Sequence, residues 1–196
     1  MKIAIARLAY DGWHHASIGD WLARTCHEIV TDERCTGLDS FFVQGISPID
    51  SARNMAVLRA QKSNCTHLMM IDSDMVLKAG DGFWRAAIEH LREPGVVCCP
   101  ALNAKRLVCV NRDDGALYQT SECEDKNGIE RVRASGISCC MIDMLVFDML
   151  KKPYFSIGYD EDGMAHKYED VSFTSQVPTY VSWNHWIGHE KAVIFG

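Results

Sequence analysis

Leu68-Met69-Met70-Ile71 runs directly into Asp72-Ser73-Asp74, and no other stretch constrains the chain as much. A short apolar run bounded by polar residues predicts a strand buried on both faces, as in the sheet of an α/β protein. The two carboxylates then stand at or just beyond the strand's carboxyl end, where open α/β sheets hold their ligands. Paired hard oxygen donors at such a place suit Mg²⁺ or Mn²⁺ shared with phosphate oxygens. The same residues also fit an Asp-Ser-Asp turn that caps a following helix. Taken alone, the heptapeptide leaves both readings open.

The flanking pattern predicts the fold class. Residues 3–9 read as a strand. Residues 20–30 read as a helix with Trp21, Leu22, Thr25, Cys26, Ile29 and Val30 on one face. Residues 40–43 are a short strand. Asp50 or Ser51 can cap a helix reaching about Lys62, with Ala52, Met55, Ala56 and Ala60 inward. After the 68–71 strand, Phe83, Trp84, Ala87, Ile88 and Leu91 mark a helix that ends before Pro94-Gly95. Residues 96–101 form another buried strand. Such β-α-β-α alternation predicts a Rossmann-like, mainly parallel sheet with helices on both faces. Past Ala101 the pattern changes. Residues 108–110 and 117–120 flank the turn signal Asp113-Asp114-Gly115, and Asn127-Gly128 precedes residues 129–132, so a small antiparallel ribbon is added. Residues 136–142 read as a strand, 144–151 as a short helix stopped by Pro153, 169–176 as a helix and 181–183 as a late strand. We expect one domain over 1–196, with a first half (1–101) and a second half (102–196) of different character.

Composition narrows the class. The 196 residues are 47% hydrophobic and 23% charged, enough for a real core and unlike a disordered chain. No apolar run approaches the roughly 18–20 residues of a spanning helix. Residues 1–7 lack the apolar centre and cleavage site of a signal peptide, so a cytoplasmic protein without membrane insertion is expected. The net charge of −6 disfavours broad phosphate-backbone binding, which needs a basic field. Local clusters remain at Lys105-Arg106 with Arg112, and at Arg131 with Arg133. Nine cysteines include the vicinal pairs Cys98-Cys99 and Cys139-Cys140 but no C-x-x-C spacing. They read as reduced, buried, small apolar residues, with a structural zinc site as the alternative.

The two aspartates have companions in a fixed order. Ser51-Ala52-Arg53-Asn54 opens a helix upstream. Downstream come Gly136-Ile137-Ser138-Cys139-Cys140-Met141-Ile142, then Tyr168-Glu169-Asp170-Val171-Ser172-Phe173, then Gly188-His189. This ordered set resembles small nucleotide-sugar glycosyltransferases of the A-type (GT-A) fold, family-2-like and of phage or bacterial type, across nearly the whole chain.

The resemblance implies roles by position. Asp72 and Asp74 match the D-x-D pair that holds Mn²⁺ or Mg²⁺ against the donor diphosphate, and His189 matches a late histidine that supplies a third ligand. His185, four residues earlier, competes for that role. Glu169-Asp170 matches an acidic pair below the acceptor. Asp170 would be the general base of an inverting transfer, and Glu169 would orient the acceptor or metal-bound water. Arg53 matches a phosphate-gripping arginine, with Asn54 supporting the loop. Lys105-Arg106 occupies the place of a basic pair near donor or acceptor. Tyr10, at the end of the first strand, would stack on the base, which favours a UDP-sugar donor. The implied activity is sugar transfer from a nucleoside diphosphate sugar to a hydroxyl, a modified DNA base being one acceptor class. Rivals are a nucleotidyl- or sugar-phosphate-handling enzyme of the same fold and an inert nucleotide-sugar-binding module.

Plainer readings stand beside these. Arg53 also fits a solvent-facing helix position, and Glu169-Asp170 a charged first turn that complements the helix dipole. His14-His15 reads as an exposed loop, and Trp183 and Trp186 as large apolar residues of a late strand. The acidic loop Asp160-Glu161-Asp162 and the segment Gln176-Val177-Pro178-Thr179-Tyr180 depart from the family pattern.

Overall fold

A computed structural model describes residues 1–10, 16–77, 82–102 and 107–189. The side chains of Ser17, Leu77, His166 and His189 lie outside that description. In chain order the elements are β1 (Lys2–Ala9), α1 (Ala16–Thr31), β2 (Gly37–Gln44), α2 (Ile49–Lys62), β3 (His67–Asp72), β4 (Met75–Leu77), α3 (Phe83–His90), β5 (Val96–Cys98), β6 (Leu107–Asn111) and β7 (Leu117–Gln119). These are followed by β8 (Ile129–Val132), β9 (Ala134–Ser135), β10 (Cys139–Asp143), β11 (Gly158–Tyr159), β12 (Ala165–Lys167), α4 (Glu169–Thr174), β13 (Thr179–Ser182) and β14 (Ile187–His189). A 3₁₀ turn, Met144–Asp148, stands where a short helix was expected.

The central sheet has seven strands in the order β2-β1-β3-β10-β5-β13-β8. Strands β2, β1, β3, β5 and β13 run one way, while β10 and β8 run against them. The sheet is therefore mixed and mainly parallel, as the β-α alternation predicted. The ribbon lies apart as the three-stranded sheet β7-β6-β9. Residues 129–132, expected within that ribbon, instead form β8 on the edge of the main sheet, pairing antiparallel with β13.

Strand periodicity builds two cores, because successive side chains point to opposite faces. On one face Ala4, Ala6, Leu68, Met70, Cys98, Cys140 and Ile142 pack under α2 and α4, with Phe147, Phe155 and Phe173. On the other, Ile3, Ile5, Met69, Ile71, Val97, Cys99 and Met141 meet Ile18, Trp21, Ile29, Phe83 and Trp84 of α1 and α3. Of the residues expected inward on the helices, Val30 is 61% and Met55 is 46% exposed, and Arg53 and Val57 fill the inner face of α2 instead. The small Ala52, Ala56 and Ala60 let α2 lie close to the sheet, which rotates the longer Met55 outward. Pro48, not Asp50 or Ser51, is the residue before the first turn of α2, and Asp50 sits inside that turn, where it complements the dipole.

All nine cysteines are free thiols, six of them buried. Burial raises the proton affinity of Cys98, Cys99 and Cys140, which keeps them as neutral packing groups. No described helix is long and apolar enough to cross a membrane.

At Gly95 a Cβ would sit 2.8 Å from the Pro178 carbonyl oxygen, where β5 begins beside the approach to β13. Gly95→Ala should cost about 1–3 kcal/mol by overpacking. The check is the urea midpoint at constant m-value; an unchanged midpoint would refute this close approach.

Candidate functional site

Three elements meet at one buried cation. Arg53, on the inner face of α2, is only 3% exposed. Its Nε donates to Glu169 Oε1 at 3.1 Å and its Nη2 to Asp72 Oδ2 at 3.2 Å. Glu169 is the first residue of α4 and is itself 6% exposed. Asp72 is the last residue of β3. The plainer reading of Arg53 as a solvent-facing helix residue is excluded here, because the guanidinium is buried between two carboxylates. Burial works against its charge, but Asp72 and Glu169 outweigh that and hold Arg53 cationic.

Two polar atoms of this cluster are buried without a hydrogen-bond partner, Arg53 Nη1 and Asp72 Oδ1. Each such atom costs on the order of 1–3 kcal/mol unless an ordered water or an ion satisfies it. Burial raises the proton affinity of Asp72, opposed by Arg53. Backbone bonds fix the approach: Asp72 N donates to Ser138 O (2.8 Å) and Ser73 N to Leu8 O (3.0 Å).

The second aspartate lies in the tight turn after β3. Asp74 is exposed, and β4 begins directly after it. Strand β4 pairs antiparallel with β14, and His189 stands opposite Met75. The backbone therefore brings the Gly188-His189 segment beside the D-x-D turn from the far end of the chain. Strand β14 is also tied to the end of β5 through Ile187 N to Pro100 O (3.1 Å). Among the described residues no three His, Cys, Asp or Glu side chains already stand together as a cation site. Two hard carboxylates with one unpaired buried oxygen nonetheless suit a cation that takes its other ligands from phosphate and water.

Asp170 follows Glu169 on α4. Its Oδ1 accepts from its neighbour's amide, Val171 N, at 2.6 Å. A Cβ at Gly136 would come 3.5 Å from Asp170 Oδ2 and 3.2 Å from Cys109 Cβ, so glycine leaves room for this carboxylate. Thr174 Oγ1 accepts from Ser135 N at 3.1 Å and ties α4 to the segment before β10. Burial, then the like charge of Glu169, raise the Asp170 pKa to about 6, against the Val171 amide and Arg53.

The other expected residues fall as follows. Tyr10 follows β1, is 71% exposed, and borders a cavity of about 210 Å³ with Leu8, Val43, Ile46, Ile49 and Ala52. Lys105, Arg106 and the pair His14-His15 lie outside the described residues. Asn54 does support a loop: its Oδ1 accepts from Tyr154 N (3.0 Å) and Phe155 N (3.2 Å), and its Nδ2 donates to Phe155 O (2.8 Å). His185 packs edge-on against Phe83 and meets Ser182 Oγ at 2.7 Å. Trp183 is buried, with Nε1 donating to Glu130 Oε2 at 2.8 Å. Not anticipated were Cys109 beside Gly136, Ile46 at the Tyr10 cavity and the direct Glu169–Arg53 contact. Residues 116 apart in sequence carry no local signal that they will meet.

No family model and no curated protein sequence matches the chain. Solved structures do. A197 from STIV aligns with TM-score 0.68 at 16% identity over 97% of this chain and 86% of its own. A mannose-1-phosphate geranyltransferase from Thermus thermophilus aligns with TM-score 0.55 at 10% identity, covering 95% of this chain and 76% of that one. GalNAc-T7 with UDP, GalNAc and Mn²⁺ aligns with TM-score 0.51 at 12% identity, covering 95% of this chain but 43% of that one. At these identities the likeness is one of fold: the chain has a Rossmann-like α/β architecture of GT-A type.

Asp170 also makes stability depend on pH. Its folded pKa, about 6, lies above the ordinary carboxyl value of 3.8, so the folded state binds the proton more tightly than the unfolded state. Its contribution is most favourable below about pH 4 and is lost as pH rises through 6. Asp170→Asn should therefore stabilise the fold by about 2–3 kcal/mol at pH 7.5 and by much less at pH 4.5. Chemical denaturation at both values measures this; an equal effect at both would show that Asp170 is not perturbed.

Proposed function

We propose that the chain is a metal-dependent glycosyltransferase, moving a sugar from a nucleoside diphosphate sugar to a hydroxyl acceptor with inversion. The observation that carries this reading is the shared charge cluster. One buried arginine joins the carboxylate at the end of β3 to an acidic pair whose second member has its pKa raised into the range of a working base. The fold's likeness to GalNAc-T7 with UDP, GalNAc and Mn²⁺ supports the nucleotide-sugar part of this reading.

In this proposal Asp72 and Asp74, with His189, hold Mn²⁺ or Mg²⁺. A cation bound there would supply positive charge beside the diphosphate. Arg53, Lys105 and Arg106 add cationic donors for phosphate oxygens. Tyr10, at the rim of its cavity, offers a ring face for the base, with a uridine nucleotide favoured. Asp170 accepts the proton of the attacking hydroxyl. With a pKa of about 6 it is mostly ionised at pH 7 yet basic enough to share a proton in the transition state. Gly136 keeps space open at its Oδ2.

Calorimetric titration with UDP, with and without Mn²⁺, tests the donor site. Tighter binding with Mn²⁺ is expected, and loss of that enhancement in Asp74→Asn. Absence of nucleotide binding in both conditions would overturn the proposal. Once a donor is found, Asp170→Asn should lower turnover by roughly 10²–10⁴-fold while leaving UDP affinity within about threefold, as measured by the same titration.

A further inference from the structure

Glu169 adjoins the candidate base in sequence, yet its side chain bonds to Arg53. Its carboxylate is buried and its Oε1 is engaged by Arg53 Nε at 3.1 Å. The other anchor of that guanidinium is Asp72, through Nη2 at 3.2 Å. These two contacts come from different elements, α4 and β3, and together they fix the plane and direction of a planar fork. Without Glu169, Asp72 would hold the guanidinium through one hydrogen bond only.

We propose that Glu169 is a positioning residue, which aims Arg53 at the donor side of the site and places a fixed negative charge beside Asp170 on the acceptor side. This rests on the nucleotide-sugar reading for its donor arm only. Glu169 then touches neither substrate. It acts through Arg53 in one direction and through its own negative charge in the other.

Several groups face Asp170. Glu169 adjoins it on α4, and the charges of Arg53 on α2 and Asp72 at the end of β3 act on it. The thiols of Cys98 and Cys109 also lie within its field. Burial raises Cys98 and Cys109, the latter to about 11, so both stay neutral at ordinary pH. The charges that tune Asp170 are thus Glu169 and Asp72, which favour its protonated form, and Arg53, which opposes them. Asp72 is already paired with Arg53. Among these charges Glu169 acts most strongly on Asp170, second only to burial itself.

Two variants separate the two roles. In Glu169→Gln the amide oxygen still accepts from Arg53 Nε, but the charge is gone. In Glu169→Ala both the acceptor and the charge are gone. Two measurements apply to each: UDP affinity in the presence of Mn²⁺ by calorimetry, and the titration midpoint of the Asp170 carboxyl by ¹³C NMR, assigned through Asp170→Asn. Glu169→Gln should keep UDP affinity within about threefold and lower the Asp170 midpoint by roughly half a pH unit or more. Glu169→Ala should weaken UDP by about tenfold, the scale of one charge-assisted hydrogen bond. If UDP binds Glu169→Ala as tightly as the parent chain, Arg53 does not depend on Glu169 and the proposal fails. It fails equally if the Asp170 midpoint is unmoved in Glu169→Gln, a readout that needs no nucleotide and remains valid should Glu169→Ala not fold. If the parent chain binds no UDP, the nucleotide-sugar reading falls, and the Asp170 midpoint alone decides the role of Glu169.

Discussion

A guanidinium enclosed by protein must be paired, because an isolated buried charge costs several kcal/mol. Arg53 meets that demand with two carboxylates from distant parts of the chain, Asp72 and Glu169. The arrangement fixes how α2, β3 and α4 sit relative to one another. It also explains how the acidic residues tolerate their enclosure: removing the arginine would leave the buried Glu169 and the half-buried Asp72 without their cation. A buried ion cluster is weak evidence of stabilisation, since apolar residues of similar volume often do as well. Here Arg53 Nη1 and Asp72 Oδ1 are left unpaired within it, so the cluster does not satisfy all of its own polar groups.

The reversed strand β10 determines what lines this site. It lies between β3 and β5 and runs against both, with Cys139 opposite Ile71. Its amino end therefore stands beside the carboxyl end of β3. The approach to it, Gly136 to Ser138, passes Asp170 and bonds to Asp72 N. A parallel strand in that position would have placed its carboxyl end there and sent Gly136 to the opposite edge of the sheet. The β4–β14 pair closes a second side and carries Gly188-His189 to the D-x-D turn. The acidic pair, the aspartates and the late histidine segment thus converge through strand direction and pairing, although they are scattered along the chain.

Local sequence accounts for most of the elements. The run Leu68–Ile71 is a fully buried strand, and the alternating residues of β1, β3 and β10 divide between two cores as period-two patterning requires. Where the structure departs from local pattern, packing and long-range pairing are the cause. Met55 was expected inward by helical spacing, but alanines at 52, 56 and 60 draw α2 close and rotate the longer side chain out. Val30 was expected inward at the end of α1, where a helix can leave the sheet. The 129–132 strand was assigned to the ribbon because it follows a turn signal; its partner, β13, lies about fifty residues later, beyond the reach of any local pattern.

Sequence by itself determined the α/β class, the place of Asp72 and Asp74 at a strand's carboxyl end, and the residue types of a charged site, because hydrophobic periodicity and side-chain chemistry are local properties. Only the tertiary structure decided that Arg53 is buried, that it pairs with Asp72 and Glu169, and that Asp170 holds its proton up to about 6. Burial and Coulomb interactions depend on distances through space. In this chain those distances are set by sheet order and strand direction, which a one-dimensional pattern does not carry.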